Sequence, residues 1–578
     1  MSIRFVAVLI IPTTLLAGCT AAASAPGAEQ DRNGDWFTDQ AAAAGLDVIH
    51  FSGMSGELFM PEIFPPGAGL LDYDNDGDLD IFFVQGQMLG IGKTVRDAVF
   101  PPAGSVTPTS QLFRNDLKVG ADGSRNLRFT DVTEETGIKV GGYGMGVAAG
   151  DYDNDGCVDL YVTSFDKNQL FRNNCDGTFT DVSRESNTDD DDWAVSAAFV
   201  DYDRDGWLDL FVGNYLHYSL DMATACHNAA GQQDYCTPHA FRPQPDVLYQ
   251  NLGDGTFADV SARALVGGNF GPALGVTTAD FDGDGWIDIY VANDSAENQL
   301  WVNQGDGTFR DMGLLSGSAL SGHGYAEASM GVDAGDFDND GDEDLFMTHL
   351  PVEGNNLYVN DGSGLFEDLS VSSGLGLPSL GHTGFGTTWF DFDNDGWLDL
   401  LAVNGAIMRI AGRDDEFPYG ERDLLFHNLG NGRFESVTDR AGAVFELSDV
   451  GRGAAFGDVD NDGDLDVLVG NNSGPLRLLV NNVGNRNRWL GLRLLGEEVP
   501  RDMLGAKVAI MQAGRSTLWR RVRADGSYAS ANDPRVLFGL DSSAEPATVT
   551  VYWPSGRVEN WVNVPVDQWT TLTEGGGR

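Results

Sequence analysis

Seven times along this chain the same nine-residue pattern returns, Asp-x-Asp-x-Asp-Gly-x-x-Asp, at intervals of 50 to 79 residues. The copies carry Asp72, Asp74, Asp76 and Asp80; Asp151, Asp153, Asp155 and Asp159; Asp201, Asp203, Asp205 and Asp209; Asp280, Asp282, Asp284 and Asp288; Asp336, Asp338, Asp340 and Asp344; Asp391, Asp393, Asp395 and Asp399; and Asp458, Asp460, Asp462 and Asp466. Two further markers keep the same count. A Leu-x-x-Asn motif recurs as LFRN at 112–115 and 170–173, LYQN at 248–251, LWVN at 300–303, LYVN at 357–360, LFHN at 425–428 and LLVN at 478–481. A Phe-x-Asp element begins at Phe129, Phe179 and Phe257, with looser forms at Phe309, Phe366 and Phe434. Its seventh copy, Trp36-Phe37-Thr38-Asp39, stands ahead of the first acidic loop.

Each unit reads as four short strands. A Gly-rich lead-in such as GMGVAAG (144–150) precedes the loop, an alternating run such as LDLFV (208–212) follows it, and the two marker strands complete the unit. Four strands repeated seven times is the signature of a β-propeller. The last unit has no Phe-x-Asp strand of its own. Trp36–Asp39 can supply one, which closes the ring and removes two exposed sheet edges. The expected fold is all-β, a seven-bladed propeller over residues 36–484 with insertions near 85–110, 215–246 and 405–423. A small β domain over 485–578 follows.

Within each loop, positions 1, 3, 5 and 9 are Asp and position 6 is Gly, as a sharp turn with positive φ demands. Position 7 varies freely, as it can if only its carbonyl is used. Hard oxygens converging on one point describe a calcium site, and up to seven Ca2+ ions are expected. Without a cation, two carboxylates 4 Å apart repel by about 4 kcal/mol at an effective dielectric of 20. An EF-hand is excluded: its twelfth position should be Glu, whereas here it is Phe83, Val162, Val212, Val291, Met347, Ala402 and Val469. The flanks are β rather than helical, so the loops resemble those of integrin-type propellers.

The 87 acidic residues against 35 basic ones leave a formal net charge of −52, which disfavours nucleic-acid partners. Disorder, the other common meaning of such acidity, is excluded by 42% hydrophobic residues with 32 Phe and 12 Trp. Residues 1–18 read as a secretory signal, because the apolar run from Phe5 is too short to anchor in a bilayer. Leu16-Ala-Gly-Cys19 resembles the lipobox of bacterial lipoproteins, which implies acylation of Cys19. Residues 19–35 are a small, polar tether. The expected location is the cell envelope, at the outer membrane or facing the periplasm, with the lipid as the sole membrane contact. Export favours disulfides, here Cys157–Cys175 across a hairpin and Cys226–Cys236 around a short loop. His217, His227 and His239 lie near the second pair but match no familiar zinc spacing.

The C-terminal segments 489–495, 504–510, 517–522, 536–538 and 549–553 read as strands. Basic residues gather there (Arg486, Arg488, Arg493, Arg501, Lys507, Arg515, Arg520, Arg521, Arg523), and a solvated charged face is the expectation, with docking on the acidic propeller as the alternative. RDMLGAK (501–507), GSYAS (526–530), FGL (538–540) and WPSG (553–556) resemble the ASPIC/UnbV domain. Preceded by VCBS/FG-GAP-type repeats, that domain marks the cartilage acidic protein family, and the likeness covers about 36–570. Pro500 departs from the family pattern, which has Asn there. The resemblance implies an exported protein with calcium-loaded repeats.

Two functions follow as expectations. One is a calcium-binding, lipid-anchored scaffold engaging protein or carbohydrate at the cell surface. No G-x-S-x-G, H-E-x-x-H or nucleotide loop stands out. The other is an envelope enzyme with a metal or acid/base site over the propeller channel, built from His323, Glu327 and His382 with Arg452 in a comparable lead-in.

Overall fold

A computed structural model describes residues 34–578, except 103–107, 223–224, 228–230, 268–269, 410–418 and 498. The signal, Cys19 and nearly all of the tether lie outside the described residues. Residues 35–578 form one compact unit.

Among the described residues, seven antiparallel sheets repeat one plan. In the second blade, Gly144–Gly150, Asp159–Ser164, Gln169–Asn173 and Phe179–Asp181 run from the axis outward. The other innermost strands are Ala68–Leu71, Ala194–Val200, Ala273–Ala279, Val332–Gly335, Gly384–Phe390 and Gly451–Gly457. Each packs against the next, and the last packs against the first. The fourth blade adds a fifth strand, Leu265–Val266, parallel to Phe309–Asp311. In the seventh blade Phe37–Asp39 pairs with Leu479–Asn481, so the N-terminal strand closes the ring as its orphan marker requires. Both expected disulfides are formed, with Cα separations of 5.7 Å for Cys157–Cys175 and 5.2 Å for Cys226–Cys236.

The three sequence markers co-occur because they bind one another. The Asn of each Leu-x-x-Asn strand donates its backbone N–H to the position-9 Asp of its own loop, as Asn173 does to Asp159 at 2.7 Å. Its side-chain amide donates to the position-2 carbonyl of the preceding blade's loop, as Asn173 does to Tyr73 at 2.8 Å and Asn481 to Phe392 at 2.7 Å. Beside that bond, the position-2 aromatic packs on the Phe-x-Asp ring of the next blade. Tyr152 lies 5.5 Å from Phe257, Tyr202 5.5 Å from Phe309, and Phe392 6.2 Å from Phe37.

The C-terminal region makes two sheets. Trp489–Leu495 lies between Val536–Gly539 and Trp569–Thr573, and a second sheet runs Leu518–Arg521, Lys507–Met511, Ala547–Tyr552, Val558–Val564. The strands at 558–564 and 569–573 are additional to those read from the sequence. Residues 523–533 run into the propeller axis and bond to every innermost strand. Ala531 bonds to Ala68 and Leu70; the Ala529 carbonyl accepts from Val147, and its N–H donates to Ser196 Oγ. Gly526 donates to Val276, and the Ser527 carbonyl accepts from Val332. Ser527 Oγ accepts from Thr387 N and donates to the Ala454 carbonyl. Gly67 and Gly146 allow this approach, since a Cβ on Gly67 would lie 1.9 Å from the Ala529 oxygen.

Candidate functional site

The acidic loops join the innermost strand of each blade to the second, on the face covered by the C-terminal sheets. Their turn is set locally. Position 1 accepts the N–H of the position-6 Gly in all seven, for instance Gly156 to Asp151 at 2.8 Å and Gly463 to Asp458 at 2.9 Å. Position 5 accepts the N–H of position 7, as Asp395 does from Trp397 at 2.9 Å. Each position-6 Gly has φ between 90° and 105°, as expected. Position 4 is also left-handed, at 55–73°, which the sequence reading missed. The signal was present: Asn75, Asn154, Asn339, Asn394 and Asn461 occupy it, and Asn tolerates that conformation best among residues with a side chain.

Position 4 also links the loops. Asn75 donates to the Gly156 carbonyl of the next loop at 2.9 Å, Asn154 to Gly206 at 3.0 Å, and Asn339 to Gly396 at 3.3 Å. Asn394 donates to Gly463 at 2.8 Å, and Asn461 returns to Gly77 at 3.3 Å. Arg204 plays this part toward Gly285. The fourth loop has Gly283 instead and can make no such bond.

In the first three loops the carboxylates at positions 1, 3 and 9 converge, with donor atoms mutually within 4.8 Å. The position-9 Asp is also structural, because both oxygens of Asp80, for example, accept backbone N–H groups. The donor set fits calcium on two grounds. Asp72 Oδ1, Asp201 Oδ1 and Asp344 Oδ2 are shut from solvent without a hydrogen-bond partner, on residues at most 8% exposed. Burial, reinforced by neighbouring carboxylates, pushes Asp151 and Asp201 up to about 6 and Asp336 and Asp458 to about 7. Such carboxylates resist ionising until a cation shares the loop.

The basic C-terminal residues do not form a solvated face, which corrects the sequence expectation. Arg493 reaches Asp72 at 3.2 Å, and Arg501 donates to the Gly206 carbonyl at 3.1 Å while facing Asp151 and Asp201. Buried Arg521 pairs with Glu343 at 2.6 Å and faces Asp280. Half-buried Arg520 faces Asp336 and Asp391, and Arg535 donates to the Asp458 carbonyl at 3.0 Å. A guanidinium of the C-terminal region thus faces the first carboxylate of all seven loops. Arg488 and Arg515 stay with Asp567 and Asp541 of their own domain. Docking on the acidic propeller, the alternative read from the sequence, is what the structure shows; which guanidinium meets which loop was not legible, because sequence alone does not place one domain on another.

The other candidates are dispersed. His323, like His217, His227 and His239, is exposed. Glu327 lies 3.9 Å from His349 Nε2, which is 3.1 Å from Ser329 Oγ, but Ser329 and His349 are both fully buried. His382 is half-buried. Arg452 is buried and spends its guanidinium on the carbonyls of Ile63, Gly405, Gly451 and Ala406, with its face on Phe385. The channel these residues were expected to line is filled. Phe64 packs on Trp193 and Tyr215 from one side, and Tyr528 of the axial segment meets the Phe64 carbonyl from the other.

The FG-GAP-like repeat family matches residues 151–212, 229–291, 280–347, 336–402 and 412–469, and the ASPIC and UnbV family matches 496–578. This chain belongs to the FG-GAP-repeat family and carries an ASPIC/UnbV domain. It is homologous to cartilage acidic protein 1: it is 28% identical to the Homo sapiens protein over 338 residues, covering 54% of this chain and 47% of that one. The Xenopus tropicalis protein is 26% identical over 342 residues, covering 56% and 48%. The chain therefore spans about half the length of these relatives. Among solved structures, an Agrocybe aegerita lectin recognising non-reducing terminal N-acetylglucosamine is 17% identical at TM-score 0.37, covering 66% of this chain and 82% of that one. BBS1N in complex with ARL6DN is 10% identical at TM-score 0.39, covering 76% and 97%.

Proposed function

We propose that this FG-GAP propeller is a calcium-stabilised scaffold, exported to the cell envelope, tethered through Cys19, and presenting its insertions to a protein or carbohydrate ligand. The propeller with its ASPIC/UnbV domain suits an interaction role, and its two disulfides are the usage of an exported protein. The observation that carries the calcium reading is the set of buried, unpartnered carboxylate oxygens at Asp72, Asp201 and Asp344. Positions 1, 3, 5 and 9 of the loops would hold the ion, which supplies charge neutralisation; in the sixth loop His427 stands beside positions 3 and 5. With free calcium tenfold above Kd, each site adds about 1.4 kcal/mol of stability.

The side of the propeller away from the loops is where a ligand has room. The loop face is covered by the ASPIC/UnbV sheets and the axis is filled, whereas the insertions beginning near 85 and 215 lie at the opposite end, where Leu89, Leu216 and Tyr235 pack into the cluster around Phe64. Melting the protein in calcium and in EDTA tests the first part, and an unchanged midpoint overturns it. A glycan array and an envelope pull-down, repeated with the 215–246 insertion replaced by a short turn, test the second. Capture that survives the replacement removes that insertion from the ligand site.

A further inference from the structure

The seventh residue of the family pattern is not where the loops differ most. The third residue of each Leu-x-x-Asn strand is Arg114, Arg172, Gln250, Val302, Val359, His427 and Val480 in turn. The strand register puts this side chain over position 3 of its own loop. Gln250 bonds there to Asp203 Oδ2 at 2.6 Å. Arg114 and Arg172 face Asp74 and Asp153 as fixed charges that cannot ligate. The Val residues offer nothing. Among the described residues, the sixth blade alone puts an imidazole over its loop.

His427 Nε2 stands 3.5 Å from Asp393 Oδ2 and 3.6 Å from Asp395 Oδ2, and the three donor atoms lie mutually within 4.8 Å. The Nε2 atom itself is closed off from solvent, on a side chain 25% exposed, with these two carboxylates as its partners, and Asp393 Oδ1 is buried without a hydrogen bond. Two donors each about 2.1 Å from a metal ion stand about 3.4 Å apart at the tetrahedral angle, so this spacing is that of ligands sharing an ion. Phe392 holds the ring edge-on at 5.8 Å, which fixes its aim. Calcium takes oxygen donors, whereas imidazole with carboxylates suits borderline divalent ions of the zinc, cobalt and nickel class.

We propose that Asp393, Asp395 and His427 form a binding site for a borderline divalent transition-metal ion, chemically distinct from the oxygen-only loops of the other blades. The inference does not rest on calcium occupying those loops.

Co2+ is the probe, because its visible absorption reports nitrogen ligation. The full chain is dialysed against Co2+ with millimolar calcium present, and bound cobalt and calcium are counted on the same sample. One cobalt per chain is expected to remain. His427→Val, which installs the residue of blades four, five and seven, should lose it with at least about a tenfold weaker affinity. Val359→His should gain a second cobalt in the fifth loop. Absence of bound cobalt in the wild type, or equal cobalt in His427→Val, overturns the proposal and leaves His427 as an imidazolium counter-ion like Arg114 and Arg172. Bound calcium without His427-dependent cobalt sinks this inference alone. Cobalt without calcium sinks the calcium reading alone.

Discussion

Lys507 of the ASPIC/UnbV domain donates from Nζ to the carbonyl of Gly341 at 2.5 Å. That carbonyl is the one the position-4 side chain of the fourth loop would bond, had it not been Gly283. The C-terminal domain therefore supplies the donor at the one joint where the propeller leaves its run of loop-to-loop bonds open. Lys507→Met should cost about 1–2 kcal/mol, a charge-assisted bond plus an orphaned acceptor. Adding Gly283→Asn should recover much of it, because Asn accepts the positive φ of 73° and its amide can reach the vacated oxygen. Denaturant unfolding of the two variants checks this. Equal stability of the single and double variants would deny this joint any energetic meaning.

Arg520 tests how the guanidinium groups share the loops with a cation. It is half-buried, faces Asp336 and Asp391, and lies 5.4 Å over the Phe538 ring. Removing it leaves two buried loop carboxylates without their compensating charge, a change on the order of 3–5 kcal/mol. A cation in each loop would replace that charge. Arg520→Met should therefore lower the melting midpoint much more in EDTA than in millimolar calcium. A drop of the same size in both media would mean that arginine and cation act independently.

The axial segment predicts a sensitive glycine. A Cβ on Gly67 would stand 1.9 Å from the Ala529 carbonyl oxygen and 2.8 Å from Gly146 Cα, backbone atoms that cannot swing aside. Gly67→Ala should destabilise by roughly 2–3 kcal/mol, as overpacking does. Gly381→Ala meets nothing within 4 Å and should stay within about 0.5 kcal/mol. Comparable unfolding midpoints for the two would show that residues 523–533 do not hold the channel as tightly as the contacts indicate.

Period and marker order carried the architecture because each blade repeats the same local bonds. Asn173 to Asp159 and Asn173 to Tyr73 are one instance of a unit written seven times, so Trp36–Asp39 stood out as the missing piece of the last blade. What stayed illegible is singular. The descent of Ser527 and Ala529 into the axis, and the facing of Arg501 and Arg520 toward acidic loops more than a hundred residues earlier, occur once each and leave no period. His427 was visible as a letter in LFHN, but only strand register places it over Asp393. His323 and His382 looked equivalent in the sequence because both precede an acidic loop. The surrounding chain leaves the first exposed and the second half-buried.

A pH dependence follows from a substitution that the repeat itself supplies. Where the second strand of a blade ends, its last backbone N–H is capped by a side-chain oxygen: Asn168 accepts from Ser164 at 2.8 Å and Asn298 from Asn293 at 2.8 Å. In the third blade Asp246 takes this place, accepting from Asn214 at 3.0 Å, while its Oδ2 is buried without a partner. Burial pushes Asp246 up to about 8, opposed only by that backbone bond, so the native state keeps it protonated as a neutral stand-in for Asn. In the unfolded chain it ionises near 4, so between about 4 and 8 the native state binds the extra proton. Its contribution is fully present below pH 4 and is lost as pH rises toward 8, a change on the order of a few kcal/mol. Asp246→Asn should be close to neutral at pH 4, stabilising at pH 8.5, and should flatten the stability profile between them. Unfolding measured across that range decides it, and a variant whose stability relative to wild type does not change between pH 4 and 8.5 would mean that Asp246 is not held protonated by the native state.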